Sequence, residues 1–309
     1  IPSLSPRLGG PTRAVLGLSR HLQEIGADVQ ILTTDDDTDR RLDVPLYQSI
    51  DHQGIRTTFL PRTFRAKEFI YSKALSSWHN QHLDAFALVH THYLFSYLPS
   101  LTARAARYRG IPYIMRPLGQ LTPWALSQGT SKKRLYALLL ERRNLNRAAA
   151  IHCTSPEEAI NVKQFGIETS TMNLPLGVDV PLPIEGAPAQ LRQAYNISTN
   201  VPIVLFLSRL HCKKQPEVLL KAFAKMLKKQ PCHLIFAGAG EPTYVDSLLQ
   251  LSCQLDIKEH VTFTGFVRGH NKNLLLQGSD VFALPSHSEN FGIAVAEALI
   301  SGLPVIITP

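Results

Sequence analysis

The sequence has few cysteines and no long apolar run, and these two shortages exclude several classes of protein. Its four cysteines, Cys153, Cys212, Cys232 and Cys253, are widely spaced and include no Cys-x-x-Cys pair. We therefore expect reduced cysteines that pack within the fold, rather than a disulfide framework or a zinc site. No stretch of about 18 apolar residues occurs, which argues against a transmembrane helix. No internal repeat or low-complexity tract is visible either.

The remaining composition indicates a folded protein with an excess of positive charge. Of the 309 residues, 44% are hydrophobic and 18% are charged, which suits a chain with a sizeable core. A single domain more usually has about 100–200 residues, so we expect two domains. The formal net charge of +8 favours an anionic partner, either nucleic acid, a membrane surface or a phosphorylated small molecule.

Short apolar runs alternate with amphipathic stretches through most of the chain. In the first half, strands are predicted at 28–34, 86–92, 111–117 and 148–154, and helices at 12–25, 96–109 and 131–147. In the second half, strands are predicted at 202–208, 233–238, 261–265, 281–285 and 304–308, and helices at 215–229, 243–255, 270–278 and 291–301. This order is typical of βαβ units, in which helices cover both faces of a parallel sheet.

A stretch rich in proline and glycine, "PLGVDVPLPIEGAP", separates the two halves. We place an N-terminal Rossmann-like domain at 1–180, a linker at 181–200 and a second Rossmann-like domain at 201–309. Two doubly wound domains would face each other across a crevice at the carboxyl ends of their strands. Both ends look truncated, because residues 1–11 form a predicted loop without a preceding strand and 304–308 lacks a returning helix. No signal peptide is visible, although the chain begins without methionine.

The final stretch, "HSENFGIAVAEALISGLPVIITP", places two glutamates around the start of a predicted helix. Glu289 lies in the turn before the helix and Glu297 lies within it. The unpaired N–H groups of the first turn favour a phosphate there, and Gly292 lets a ligand approach the backbone. Carboxylates beside such a site can accept hydrogen bonds from sugar hydroxyls, so a nucleotide-sugar would satisfy both features. For an isolated pair, a capping Glu289 and a solvated Glu297 are the favoured alternative.

A basic motif favours the ligand-binding interpretation of these two glutamates. Arg209 follows the strand at 202–208, and Lys214 lies at the entrance of the next helix. Both fall at the carboxyl end of the first strand of the second domain, where arginine can make a forked contact with a diphosphate and lysine acts as a point charge. The alternative is a solvated basic loop, which is the interpretation that we assign to Lys213.

These stretches together resemble a known family. Ser208-Arg209-Leu210 with Lys214, then "FAGAGE", then "PSHSENFGIAVAEALISGLPVI" resemble the GT-B retaining glycosyltransferases of family 4. "PRLGGPTRAVLGLSRHLQEIGADVQILTT" resembles the family's glycine loop and first helix, and "YIMRPLGQLTPWAL" with "AAAIHCTSPEEA" resembles a subgroup that acts in polysaccharide assembly. The resemblance covers nearly the whole chain, and it implies an α/β protein of the GT-B class and a hexosyltransferase that needs no metal.

The resemblance implies roles for matching positions of the donor site. Arg209 and Lys214 would hold the donor diphosphate and stabilise charge on the leaving group. Glu297 would bind the nucleotide ribose. Glu289 would hold the donor sugar and phosphates, together with the backbone of three residues, Asn290, Phe291 and Gly292.

In the first domain, the resemblance implies that Gly9 and Gly10 let the first loop reach the diphosphate. His92 would lie near the transferred sugar and the acceptor. Arg116 and Gly119 match an Arg-Gly turn of the subgroup, but two residues are inserted between them here, so no role is assigned to them.

Two signals that suggest a metal site have other interpretations. Asp35 and Asp37 in "TTDDDTDR" are spaced like metal-binding aspartates, but they follow a strand and are expected to form a solvated acidic loop. His90 is placed on the opposite strand face from His92, as a packing histidine, and the pair lacks a third ligand. We therefore expect no metal.

The predicted helix at 131–147 combines a basic and an apolar side. Its basic residues are Lys132, Lys133, Arg134, Arg142, Arg143 and Arg147, and its leucines are Leu135, Leu138, Leu139 and Leu145. One interpretation is a helix that lies on anionic lipid, and the other is a surface helix with its apolar side on the sheet. We expect a cytoplasmic protein, and the first interpretation would place it at the inner face of the membrane.

We thus expect a retaining transferase that moves a hexose from a UDP-, GDP- or ADP-sugar to a glycan or a lipid-linked acceptor. A nucleotide-sugar epimerase of the same fold and a non-catalytic remnant that binds an anionic ligand or lipid are the alternatives. Nucleic acid is not an expected partner, because the basic residues are spread over both halves without the aromatic pattern of a single-strand binder.

Overall fold

The computed structural model describes residues 1–66, 69–127, 136 and 140–308. The chain divides into two compact units, Ile1–Gly177 and Val178–Pro309. The predicted linker at 181–200 differs from the structure, because Ala187–Ala194 forms a helix of the second unit. This helix packs closely on the helix Gly269–Gly278, since a Cβ atom on Gly278 would lie 2.7 Å from Cβ of Leu191.

The first unit contains two main sheets. Its strands are β1 (Gln30–Thr34), β2 (Asp36–Asp37), β3 (Arg40–Arg41), β4 (Ser49–His52), β5 (Ile55–Leu60), β6 (Phe64–Ala66), β7 (Phe69–Tyr71), β8 (Val89–His92), β9 (Tyr113–Arg116), β10 (Ala150–Cys153) and β11 (Thr171–Asn173). A four-stranded parallel sheet has the order β11-β10-β9-β8, and a three-stranded sheet has the order β1-β5-β4 with β4 antiparallel. The four predicted strands are confirmed, whereas the strands between 36 and 71 were not predicted.

The helices of the first unit are α1 (Gly10–Glu24), α2 (Leu75–His82), α3 (Tyr97–Tyr108), α4 (Pro123–Ser127), α5 (Arg142–Leu145) and α6 (Pro156–Gln164). The segment before α1 was predicted to be a loop, and it also makes one strand-like contact. Ser3 forms an isolated parallel bridge with Thr34, and Ile1 and Leu4 are buried.

The second unit is built on one parallel sheet of five strands. The strands are β12 (Ile203–Leu207), β13 (His233–Ala237), β14 (Val261–Gly265), β15 (Val281–Leu284) and β16 (Val305–Ile307), in the order β14-β13-β12-β15-β16. The helices are α7 (Ala187–Ala194), α8 (Pro216–Leu227), α9 (Pro242–Gln254), α10 (Gly269–Gly278) and α11 (Ile293–Ile300). All five predicted strands and the four predicted helices are confirmed.

The order of these strands creates a topological switch point between β12 and β15. The chain runs from β12 outward to β14 on one side, then returns to β15 and β16 on the other. Since parallel connections are right-handed, α8 and α9 cover one face of the sheet and α10 and α11 cover the other. Ligands of such sheets bind at the carboxyl ends of the strands beside the switch point. In this unit, those ends carry the loops after β12 and β15.

Candidate functional site

The loop after β12 carries Arg209 and is held flat against the neighbouring turn. The N–H of Ser208 donates to the carbonyl of Ala237 over 3.1 Å, and the N–H of Leu210 donates to Ala239 over 2.8 Å. The side chain of Arg209 is exposed at the carboxyl end of the sheet. The close approach requires Gly238, because a Cβ atom there would lie 1.8 Å from the carbonyl oxygen of Ser208.

The loop after β15 lies beside the loop after β12. The N–H of His287 donates to the carbonyl of Lys213 over 2.8 Å. An ion pair also joins the loops, because Nζ of Lys214 contacts Oε1 of Glu289, and the hydroxyl of Ser286 donates to the same oxygen over 2.7 Å. The structure therefore brings the predicted Lys214 and Glu289 together at the switch point.

Glu289 is not the cap of the following helix. The N-terminal cap of α11 is Gly292, which has a left-handed backbone (φ 73°, ψ 55°) and makes no side-chain capping bond. The alternative interpretation of Glu289 as a capping acid is therefore wrong. Asn290 and Phe291 are half-buried in the turn between Glu289 and the helix. Because this turn follows β15, both residues lie with Glu289 at the carboxyl edge of the sheet.

Glu297 has a partner that the sequence analysis missed. Nζ of Lys272, on α10, lies 2.8 Å from Oε1 of Glu297, and the two side chains are only 15% and 13% exposed. The alternative interpretation of Glu297 as a solvated helix residue is therefore wrong. A signal for Lys272 existed in the sequence, because it precedes the buried Leu275 and Leu276 by one helical turn.

In the first unit, Gly9 and Gly10 lie at the start of α1. Gly9 caps the helix with φ 67° and ψ −117°, a conformation that only glycine adopts readily. Its N–H donates to the carbonyl of Pro6 over 3.1 Å, which closes a tight turn before the helix. The backbone conformation by itself therefore accounts for a glycine at position 9. The contact of Gly9 with a diphosphate stays a prediction.

His92 is buried at the carboxyl end of β8 beside two further histidines. The ring of His90 lies 4.4 Å from the ring of His92 and 5.3 Å from that of His152. The assignment of His90 to the opposite strand face is therefore wrong, because side chains two positions apart in a strand point to the same face. Burial, followed by the nearby His90, Arg116 and His152, lowers the pKa of His92 well below its ordinary value, so His92 is a neutral imidazole.

Arg116 is buried beside this cluster, with 1% exposure. Burial lowers its pKa to about 10, and the nearby Glu158 opposes that shift, so the guanidinium keeps its charge. Among the described residues, no hydrogen-bond partner is found for Nε of Arg116 or for Nδ1 of His92. The ends of β8 and β9 thus hold polar groups whose hydrogen bonding within the described chain is incomplete.

Glu158 explains the inserted turn after Arg116. Leu118 and Gly119 both have positive φ, and the N–H of Gly119 donates to Oε1 of Glu158 over 2.6 Å. The other oxygen, Oε2, accepts from both the N–H and the hydroxyl of Thr154, at 2.7 Å and 2.8 Å. Glu158 therefore ties the turn after β9 to the end of β10, so Gly119 contributes to this clamp.

A second buried carboxylate holds the loop after His92. Tyr93 and Phe95 have positive φ although neither is glycine, which is a strained backbone. The N–H of Phe95 donates to Oε1 of Glu141 over 2.9 Å, and the N–H of Leu94 donates to the side chain of Gln120. Burial raises the pKa of Glu141 to about 7. These contacts stabilise the strained loop, and no local sequence pattern indicated them.

The histidine cluster predicts acid sensitivity of the first unit. Burial, then His152 and Arg116, lowers the pKa of His90 to about 3, so the unfolded chain takes up a proton near pH 6.5 and the folded chain does not. The contribution of each such histidine to the free energy of unfolding is therefore fully present above about pH 6.5. It falls as the pH drops, by about 1.4 kcal/mol over one pH unit. Glu141, whose pKa is raised, acts in the opposite direction and offsets part of this loss.

Urea unfolding at pH 7.5 and 5.5 checks this expectation. His90→Gln should reduce the change in the free energy of unfolding between these two pH values by about 1.4 kcal/mol. His21→Gln is the matched control, because His21 is an exposed histidine of the same unit. A wild-type and a His90→Gln protein with the same pH dependence would contradict a neutral, buried His90.

The acidic stretch near β2 is not a solvated loop. Asp35 and Asp36 are buried, and Asp36 is paired with Arg62 over 2.7 Å and with Arg65. Asp37 is part-buried, with its side chain 16% exposed. The prediction of a solvated loop was wrong because the neutralising arginines come from a distant part of the sequence. Among the described residues, no group of three or more histidine, cysteine, aspartate or glutamate side chains could hold a metal ion.

All four cysteines are free thiols, two of them buried and two exposed. Cys153 and Cys232 are buried packing residues as expected, whereas Cys212 and Cys253 are exposed.

Only part of the predicted helix at 131–147 can be compared with the structure. Lys132, Lys133, Arg134, Leu135, Leu138 and Leu139 lie outside the described residues. Of the rest, Arg142 and Arg143 are exposed on α5 and Leu145 is buried. In the described part of the chain, no helix is both long and apolar enough to cross a membrane.

Comparison with known proteins identifies the family of both units. The family described as Glycosyl transferase 4-like domain matches residues 9–177, and the family described as Glycosyl transferases group 1 matches residues 189–309. D-inositol 3-phosphate glycosyltransferase of Nocardia farcinica is 25% identical, over 84% of this chain and 58% of its own length. Alpha-monoglucosyldiacylglycerol synthase of Streptococcus pneumoniae is 28% identical, over 97% of this chain and 68% of its own length.

The fold is also shared with solved structures. HepE of Anabaena, solved in complex with UDP and glucose, superposes with a TM-score of 0.77 at 19% identity and covers 99% of this chain and 78% of its own. The chain therefore spans about three-fifths to three-quarters of the lengths of these relatives. The expected α/β, GT-B fold class is confirmed. The two family matches, the shared fold and the paired loops after β12 and β15 lead to one conclusion: the chain belongs to the family 4 glycosyltransferases of the GT-B fold.

Proposed function

We propose that this protein transfers a hexose from a nucleoside diphosphate sugar to a glycan or lipid-linked acceptor, with retention of configuration and without a metal. The observation that carries the proposal is the contact of Lys214 with Glu289, which joins the loops after β12 and β15 at the switch point of the second unit. Cationic side chains and carboxylates at such an edge suit a ligand with both phosphates and hydroxyls.

The chemistry of this step is mainly electrostatic. As the bond to the sugar breaks, negative charge develops on the departing diphosphate, and Arg209 and Lys214 are available to stabilise it. In the structure, Glu289 is the counter-ion of Lys214. Arrival of the diphosphate gives Lys214 a second anionic partner and leaves Glu289 to accept hydrogen bonds from sugar hydroxyls. His92, as a neutral imidazole, would donate or accept a hydrogen bond near the transferred sugar without adding charge.

Two relatives support the choice of ligands. The HepE structure contains UDP and glucose, which are the two parts of a nucleotide-sugar. The Streptococcus pneumoniae relative is named as a synthase of a glucosylated diacylglycerol, which supports a lipid-linked acceptor as one of the two classes.

The two glutamates are expected to separate by function in a binding panel of UDP, GDP, ADP and their sugar derivatives. Glu297→Gln should weaken free nucleoside diphosphate and sugar donor alike, by about tenfold, because it removes a charged acceptor for the ribose. Glu289→Gln should preserve or slightly strengthen diphosphate binding, since Lys214 loses its counter-ion, while it weakens the sugar donor. Calorimetry on the purified variants measures both affinities.

The control is Glu259→Gln, an exposed glutamate of the second unit. Equal losses of nucleoside diphosphate affinity in Glu289→Gln and Glu297→Gln would contradict the two assignments. Binding of none of the three nucleotides by the wild-type protein would contradict the proposed donor class.

We also propose a peripheral contact with an anionic membrane, through the basic segment 131–147. Each basic side chain near such a surface contributes about 1 kcal/mol, and salt screens this attraction. Co-sedimentation with anionic vesicles at low salt, lost on replacing Lys132, Lys133 and Arg134 with Gln, is the expected result. A wild-type protein that stays in the supernatant at low salt would favour a soluble acceptor.

A further inference from the structure

Lys272 occupies the inner face of its helix. Leu275 and Leu276 follow it by three and four positions, and both belong to the core of the second unit. Residues at i, i+3 and i+4 share one face of a helix, so an amphipathic pattern would place an apolar side chain at position 272. A charged residue that breaks such a pattern is typical of a functional position.

The ion pair of Lys272 with Glu297 is largely removed from water. The two side chains are 15% and 13% exposed, with 2.8 Å between Nζ and Oε1. Removing two charges from water opposes folding, so a protein with an apolar pair of similar volume in place of a buried ion pair is often at least as stable. Folding stability alone therefore does not account for this ion pair, and its position relative to the sheet indicates another role.

The topology places the pair at the ligand-binding edge. α10 begins after β14 and α11 begins after β15, and both connections cross the sheet in the same direction, so both helices lie on one face. Lys272 is in the first turn of α10, and Glu297 is near the second turn of α11. The early turns of both helices lie towards the carboxyl ends of the strands, which is the edge of the switch point.

We propose that Lys272 is a positioning residue, which holds the carboxylate of Glu297 in the orientation that accepts hydrogen bonds from the ribose hydroxyls of the donor nucleotide. This inference rests on the proposed function, because it takes Glu297 as the ribose-binding residue. A carboxylate offers about four lone-pair sites on two oxygens, so it can keep the ammonium on Oε1 and still receive hydroxyl groups. Lysine suits this task, whereas the fork of an arginine would engage both oxygens.

The test uses calorimetry on the whole chain with UDP, GDP and ADP, followed by the 2′,3′-dideoxy form of the nucleotide that binds most tightly. Lys272→Met keeps an unbranched side chain that is one heavy atom shorter, and removes the charge. It should weaken the ribonucleotide by about tenfold and change the affinity for the dideoxy nucleotide by less than about twofold. Glu297→Gln should behave in the same way. The double variant should bind no more weakly than Glu297→Gln alone, because both residues act on the same hydroxyls.

The double variant also controls for folding, since it leaves neither charge without its partner. Equal losses for the ribonucleotide and the dideoxy nucleotide after Lys272→Met would overturn the inference, because the lysine would then act on the phosphates, the base or the fold. Additive losses in the double variant would overturn it as well. A Glu297→Gln defect with normal binding by Lys272→Met overturns this inference alone. Unchanged ribonucleotide binding by Glu297→Gln, with Lys272 intact, overturns the ribose assignment in the proposed function and this inference with it.

Discussion

Replacement of Arg209 or Lys214 by alanine is expected to lower turnover of the sugar donor by about tenfold or more. Each change removes a charge-assisted contact to the departing diphosphate, of the kind that contributes about 1.5–3 kcal/mol. Because the diphosphate gains charge as the sugar leaves, the loss should appear in kcat as well as in donor affinity. Steady-state kinetics with the best donor of the nucleotide panel measures both.

Lys213→Ala is the matched control for this pair of variants. It removes the same charge from the same loop and retains the main-chain carbonyl that accepts from the N–H of His287. Lys214→Ala also removes the partner of Glu289, so thermal unfolding of each variant separates loss of stability from loss of turnover. Normal turnover in both Arg209→Ala and Lys214→Ala would place the diphosphate elsewhere in the protein.

Gly238→Ala is expected to have the largest effect on the second unit. The added Cβ atom would lie 1.8 Å from the carbonyl oxygen and 2.7 Å from the carbonyl carbon of Ser208, and neither backbone atom can turn away. The loop after β12 must therefore move, at a cost of about 3 kcal/mol in unfolding free energy. Arg209 moves with this loop, so donor affinity should fall as well.

Denaturant unfolding and donor titration of Gly238→Ala check the two effects. Gly17→Ala is the control, because Gly17 lies within α1 with no neighbouring atom near its added Cβ, and alanine is favourable inside a helix. A Gly238→Ala protein that matches the wild type in both measurements would mean that the loop after β12 does not lie against the turn at 238–240.

Some of the candidate site could be predicted from local sequence because its position depends on strand ends. The run at Ile203–Leu207 is buried at every position, as expected of an inner parallel strand. The residues that follow such a strand lie at the carboxyl edge of the sheet, so Arg209 and the loop with Glu289 were placed correctly relative to the strands. That placement needs only the order of strands and helices, which local patterns reveal.

Other features could not be predicted, because they depend on side chains that meet through the fold. Asp36 is buried beside Arg62 and Arg65, which are more than twenty positions away in sequence. β4 alternates exposed and half-buried positions with one apolar residue, and β5 buries two threonines, so no apolar period marks either strand. The shared face of His90 and His92, by contrast, follows from strand alternation alone, and their ring contact shows that the assignment to opposite faces misapplied that rule.

The sequence by itself determined the parallel α/β architecture, the family and the residues at the carboxyl ends of β12 and β15, because periodicity and motif spacing are properties of short stretches. The tertiary structure alone decided which charges became partners. Lys214 meets Glu289 because β12 and β15 are neighbours in the sheet although 73 positions separate the end of one from the start of the other in the chain. Lys272 meets Glu297 because two right-handed connections place α10 and α11 on one face, and that placement depends on the order of the strands in the sheet.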